Sequence, residues 1–346
     1  ASWDKVIDQE TVVSFLQKTV ENKNKYMPQS WLITGPPGSG RTTVAKSFAG
    51  ALQGNELQEN DAPNPDAPSL DIRFITTQKP EYSVADIREI LAETETPPVS
   101  QPYKIFIIED VDRMSPQAAN LFLKNLEEPY DYIIWILCTT NPRDVLITIR
   151  SRCTKVELKT PTAQAIANAL EKELQVSHNL AAASARVSGN HIGLAKRYAK
   201  NPKLLEERSH LLLQLLGISS FSDAILLADA VEKKAAEAAK AAVEELDIDA
   251  KEKKRQETRI KKDELDLMLI SSLTIYRDLY MAKTALEDYI INLNLKQSII
   301  SASAEITLPR IMWSILQIND ARRRIKTNAQ TLLILEALFS SLNRRL

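Results

Sequence analysis

Up to residue 158 the chain alternates between short apolar runs and longer stretches in which apolar residues recur every three or four positions; beyond it only the second pattern continues. A short unbroken apolar run marks a strand buried on both faces, and the longer spacing marks a helix with one buried side. The runs are Trp31 to Thr34, Asp71 to Thr76, Lys104 to Asp110, Ile133 to Thr139 and Thr154 to Leu158. Helical spacing covers Val12 to Val20, Thr43 to Ala49, Tyr82 to Ala92 and Ser115 to Glu128, with a shorter turn over Asp144 to Ile149. Ser115-Pro116 supplies a capping hydroxyl and a first-turn proline, while Pro97-Pro98 and Pro129 act as stops. Strands separated by helices predict a parallel α/β domain over residues 1–159.

From residue 160 the pattern is helical throughout. Three short helices are expected over 160–203: one from Thr160-Pro161 to Leu174, one from Asn179 to Val187 ended by Gly189, and one from Ile192 to Lys200 ended by Asn201-Pro202. Residues 204–346 read as a helical bundle. Within it, 231–263 is rich in alanine and interleaved charge with few large apolar residues, which predicts a solvated, partly flexible helical arm rather than a nucleic-acid tail.

Composition narrows the function classes. The 346 residues carry 44 basic and 45 acidic side chains, a balance unlike that of a dedicated nucleic-acid binder. No run of about 18 apolar residues occurs and the N-terminus shows no signal pattern, so a soluble, cytoplasmic protein without membrane contact is expected. Cys138 and Cys153 lack metal-ligand spacing and read as reduced core thiols. His178, His191 and His210 are scattered and read as structural. Arg322-Arg323-Arg324 with Lys326 reads as an exposed helix face in preference to a DNA contact.

The chemistry concentrates in one stretch. Gly35-Pro36-Pro37-Gly38-Ser39-Gly40-Arg41-Thr42 follows the first strand and opens a helix, matching the phosphate-cradling G-x-x-x-x-G-K-[ST] pattern except that Arg41 stands in the lysine position. Such a loop turns successive N–H groups toward a phosphate at a helix N-terminus, and its hydroxyl holds magnesium. Arginine keeps the charge but is a broad rigid fork, which leaves binding open and puts hydrolysis in doubt. The strand Lys104 to Asp110 delivers Glu109 and Asp110 to the same end of the sheet, where one carboxylate would serve the magnesium shell and the other an attacking water. Thr140, just past another strand, is either a γ-phosphate sensor or part of a plain turn.

These residues, together with Leu121-Phe122-Leu123-Lys124-Asn125-Leu126-Glu127-Glu128-Pro129 and Ser151-Arg152-Cys153, resemble the AAA+ clamp-loader subunits of DNA replication. Val6-Ile7-Asp8-Gln9 looks like the adenine-side box of that family, 160–203 like its lid and 204–346 like its collar. The charged arm and Arg259 to Tyr276 look most like the delta prime class of actinobacterial type. The resemblance implies an AAA+ P-loop fold, ATP or ADP with Mg2+, and nucleotide contacts from Gly35, Pro36, Gly38, Gly40, Arg41, Thr42, Thr43, Glu109, Asp110, Thr140 and, as a weaker match, Lys196. It implies that Arg152 is a finger presented to the neighbouring subunit's nucleotide; the other reading is a pair with a carboxylate of its own domain. It also implies gamma/tau and delta partners in a hetero-pentameric ring acting on a sliding clamp and primer-template DNA.

Three departures accompany the resemblance: Arg41, the reversed order Glu109-Asp110, and the lack of cysteines between Gly54 and Ser69, where bacterial relatives carry a zinc module. No zinc is expected, and little or no intrinsic ATPase. An active gamma/tau-type ATPase subunit and a nucleotide-free scaffold are the rival readings.

Overall fold

A computed structural model describes residues 2–23, 26–54, 71–77, 81–244, 250–327 and 329–342. The expectation that no zinc module lies between Gly54 and Ser69 falls, beyond Gly54, outside the described residues. Chain contacts divide the molecule into two compact units, Ala1–Gln175 with Asn190–Gly193, and Val176–Gly189 with Leu194–Leu346.

The first unit is an α/β domain built on a parallel sheet. Its elements run α1 (Glu10–Glu21), β1 (Ser30–Thr34), α2 (Arg41–Gln53), β2 (Ile72–Ile75), α3 (Val84–Thr94), β3 (Lys104–Ile108), α4 (Pro116–Glu127), β4 (Ile133–Thr139), α5 (Ile147–Arg150), β5 (Thr154–Glu157) and α6 (Ala163–Leu174). The five strands pair in the order β2-β3-β4-β1-β5, and every pairing is parallel. Strands β1, β3 and β4 are buried along their whole length, as their unbroken apolar runs require of a sheet covered on both faces.

Alternation along the strands sorts the core into two layers. Leu32, Phe106, Ile108, Trp135 and Leu137 pack with Ile87, Ala118 and Phe122 of α3 and α4. Trp31, Ile33, Ile105, Ile107, Ile134, Ile136 and Cys138 pack with Leu16 of α1 and Val44, Phe48 and Leu52 of α2. Each layer has an aromatic centre. Trp135 meets Phe122 edge-on at 4.7 Å, and its indole N–H donates to Asn125 O at 3.2 Å. Trp31 meets Phe48 edge-on at 4.8 Å. Because all strands run the same way, their C-terminal ends share one edge, and the glycine loop, Glu109 and Thr140 follow three of those ends.

The second unit is all helix: α7 (His178–Val187), α8 (Ile192–Lys200, from Leu194 onward), α9 (Lys203–Gly217), α10 (Phe221–Glu244), α11 (Ala250–Lys283), α12 (Lys296–Glu305), α13 (Leu308–Ile325) and α14 (Thr331–Ser341). The described part of the charged arm is helical and exposes its charges to solvent, but it also buries one face, which the sequence expectation of a solvated arm did not include. Val231, Ala235, Ala239 and Val243 recur every fourth residue on α10 and are all buried, and α10 packs along α11. Alanine here is the close-contact face of a helix pair, and the charges sit beside it as pairs such as Lys261 with Glu232 at 2.5 Å and Lys234 with Glu207 at 2.7 Å. Residues 245–249 of the arm lie outside the described residues.

In the basic cluster, Arg322 binds Asp266 at 2.6 Å and Arg323 binds Asp320 at 3.1 Å. A buried polar node ties α9 to α11, with Arg208 donating to Asn292 Oδ1 at 2.6 Å and Asp278 accepting Asn292 N at 2.8 Å. Among the described residues no single helix is long and apolar enough to cross a membrane.

Candidate functional site

The chain leaves β1 into the glycine loop and enters α2 at Arg41. Gly38 and Gly40 have φ of +77° and +92°, a region that disfavours any side chain, so the glycines at these two positions are a backbone requirement. Gly35 faces a different constraint, since a Cβ there would come within 2.9 Å of the Leu158 Cβ.

Arg41 turns its fork back on the loop. Its Nη1 donates to Gly35 O at 2.6 Å and to Pro36 O at 3.0 Å, while Nε is buried without a partner. Thr42 Oγ1 donates to Glu109 Oε1 at 2.6 Å. Thr43 follows in the first turn of α2, half-buried.

The two strand-end carboxylates have different surroundings. Glu109 is pinned at both backbone ends, its N–H donating to Ile75 O at 2.9 Å and its carbonyl accepting Tyr82 Oη at 2.8 Å. Burial pushes the Glu109 carboxyl above its usual range, and the Thr42 hydroxyl and the Arg41 charge offset only part of that. Asp110 lies in the left-handed region at φ +50° and turns outward to Arg113 at 3.4 Å. Thr42 and Glu109, joined by their hydrogen bond, present hard oxygen donors of the kind Mg2+ takes, while Asp110 is directed to Arg113. Among the described residues no group of three or more His, Cys, Asp or Glu side chains is placed to hold a metal by itself.

Other expected site residues are distributed as follows. Thr140 is half-buried one residue past β4, while its neighbour Thr139 is fully buried, donates to Asp112 Oδ1 at 2.5 Å and accepts Asn141 N at 2.9 Å. Asp8 accepts Thr162 N at 2.8 Å and pairs with Lys159 at 2.7 Å. The Gln9 amide exchanges hydrogen bonds with the Lys159 backbone in both directions. The N-terminal box is thus bound to the chain that leaves β5. Arg152, on the turn after α5, donates to Thr148 O at 2.9 Å and pairs with Glu127 at the end of α4, with about a third of its side chain exposed. Lys196 belongs to the second unit.

Sequence reasoning missed His191 and Ile192. Ile192 N donates to Gly38 O at 3.1 Å, and a Cβ built on Gly38 would fall 2.3 Å from His191 Cγ and 2.6 Å from its Cα. The available signal was weak: a histidine after Gly189-Asn190 at a helix start, in a chain whose histidines show no common spacing. In this arrangement the oxygen donors fit Mg2+, but the loop does not fit a nucleotide's phosphates. The arginine is spent on loop carbonyls, and the open face of Gly38 is filled by His191.

Comparison with known proteins agrees with the motif reading. Residues 8–162, just under half of the chain, match the family described as DNA polymerase III, delta subunit. DNA polymerase III subunit tau of Bacillus subtilis (strain 168) is 32% identical over 177 residues, covering 49% of this chain and 31% of that relative. The gamma subunit of Buchnera aphidicola subsp. Schizaphis graminum is 28% identical over 246 residues, covering 65% of this chain and 66% of that one. A crystal structure of a gamma subunit-related protein from Thermotoga maritima aligns over 96% of this chain and 99% of its own, at 18% identity and a TM-score of 0.48. The chain thus spans about a third of the length of the Bacillus relative. Residues 8–162 are similar to the DNA polymerase III delta-subunit family and to the tau and gamma subunits of that polymerase.

Proposed function

We propose that the chain is a delta prime subunit of a bacterial clamp loader: a relatively rigid ring member that presents Arg152 to the ATP site of an adjacent subunit and hydrolyses little or no ATP itself. In this reading 160–203 is the lid and 204–346 the collar. The partners are gamma/tau and delta subunits in a cytoplasmic hetero-pentamer that opens a sliding clamp at primed DNA. The single observation that carries it is the placement of Arg152. Its guanidinium is part-exposed and tethered to Thr148 and Glu127, and an ion pair so open to water holds by only about 0–1 kcal/mol. Releasing such a side chain toward charge developing on a phosphoryl group in a neighbour costs little and places a cation where it stabilises the transition state.

Arg41 supports the non-hydrolysing half of the proposal. A P-loop lysine is a point charge for the terminal phosphates, whereas this fork satisfies two carbonyls of its own loop. A second reading, an active gamma/tau-type ATPase, draws on the short Thr42 to Glu109 bond and on the names of the relatives. A nucleotide-free scaffold draws on the filled loop. The test is Arg152→Ala in the assembled loader: nucleotide binding to this chain is expected to stay unchanged while the assembly's ATP turnover falls by about 10³-fold or more at the site it serves. Unchanged turnover would remove the finger role.

A further inference from the structure

The glycine pattern has a use that requires no phosphate. Among the described residues of the first unit, the segment Asn190–Gly193 lies on the loop, although the helices on either side of it belong to the second unit. Asn190 takes φ of +65°, and the next two residues then reach the loop. Ile192 N–H caps Gly38 O at 3.1 Å. The His191 backbone and ring occupy the space that a side chain on residue 38 would need, with Cα at 2.6 Å and Cδ2 at 2.6 Å from the position of a Cβ. Ile192 Cδ1 comes within 3.5 Å of the same position on Gly40. From inside the loop, Arg41 bonds the carbonyls of Gly35 and Pro36.

We infer that the glycine loop is a receptor for the chain's own His191–Ile192 turn, and that this turn, together with Arg41, is a latch which a nucleoside triphosphate must displace to enter. The contact supplies a physical reason to keep glycine at 38 whether or not nucleotide binds: alanine there would collide with backbone as well as ring and would be strained at φ +77°. The inference rests on the loop being the nucleotide site of the proposed function. It is separable from the role of Arg152, which is read from turnover of the assembly and not from affinity of this chain.

Each partner of the latch can be removed separately. Ile192 is the first residue of α8, where proline is tolerated, so Ile192→Pro deletes the N–H that binds Gly38 while leaving the helix intact. His191→Gly removes the ring. The experiment is hydrogen exchange at the Ile192 amide in the nucleotide-free full chain, with titration of a fluorescent ATP analogue and Mg2+ into the wild type and both variants. The expected result is a slowly exchanging Ile192 amide that speeds up when the analogue is added, a roughly fivefold lower Kd in Ile192→Pro, the equivalent of one net hydrogen bond, and a Kd lowered by more than about twofold in His191→Gly, which opens the space beside Gly38. An unprotected Ile192 amide would overturn the latch, as would a Kd unchanged within about twofold in both variants or no binding by any of the three proteins.

Discussion

Asp71, which sits just before β2, holds the edge of the sheet next to β3, the strand that delivers Glu109. It is 1% exposed and accepts Val99 N at 2.7 Å, Ser100 N at 2.9 Å, Gln101 N at 3.1 Å and Ser100 Oγ at 3.2 Å, while its own carbonyl takes Ile105 N at 2.8 Å. A hydrogen bond to a charged group contributes about 1.5–3 kcal/mol, but Val99 and Ser100 are exposed, so water recovers part of what Asp71→Ala removes. The expected loss is about 3 kcal/mol, which for a unit of this size lowers Tm by roughly 6–12 °C. The charge state is also fixed in sign. Burial alone would raise the Asp71 pKa, yet the hydrogen bonds from Ser100 and Val99 outweigh it and hold the carboxyl below its usual range. Its stabilisation is therefore present above the unfolded pKa of about 3.9 and lost as pH falls through the lower folded value. Scanning calorimetry at neutral pH and at about pH 3 should show the Tm drop for Asp71→Ala and a shallower acid dependence for Asp71→Asn. An alanine variant within about 1 °C of wild type, or an asparagine variant with full acid dependence, would refute the reasoning.

Glu109 makes the opposite prediction. Its raised pKa means that its stabilisation is complete below the unfolded value of about 4.3 and lost as pH rises through the folded one, so Glu109→Gln should raise Tm at neutral pH and match wild type near pH 4. Equal Tm at both pH values would show that burial of the carboxylate carries no cost. Arg41→Lys removes the second arm of the latch and restores the point charge, so it should tighten nucleotide and raise intrinsic turnover; unchanged turnover would move the block to Glu109 and Asp110.

The sheet was legible because its strands are apolar on both faces, and Trp31 to Thr34, Lys104 to Ile108 and Ile133 to Thr139 leave little else for those residues to be. The glycine loop was legible because only such spacing turns consecutive amides one way. Local sequence could not disclose what fills the loop, since His191 is about 150 residues from Gly38 and meets it through tertiary packing alone. The arm misled for a specific reason: hydrophobicity undervalues alanine, whose small Cβ permits the close approach of α10 and α11 at Ala235 and Ala239. Thr139 was passed over for Thr140 because the sequence showed only that both end a strand; which one turns inward to Asp112 depends on register. The buried node of Arg208, Asn292 and Asp278 gave no sequence signal, since each residue alone reads as surface.

The most direct measurement is steady-state phosphate release by the isolated full chain under saturating ATP and Mg2+, set beside the same assay on the loader assembled with its partner subunits. No sustained release is expected from the isolated chain, and ATP turnover in the assembly is expected to depend on Arg152. Sustained release by the isolated chain, unaffected by Arg152→Ala, would contradict that expectation and make this a working ATPase subunit.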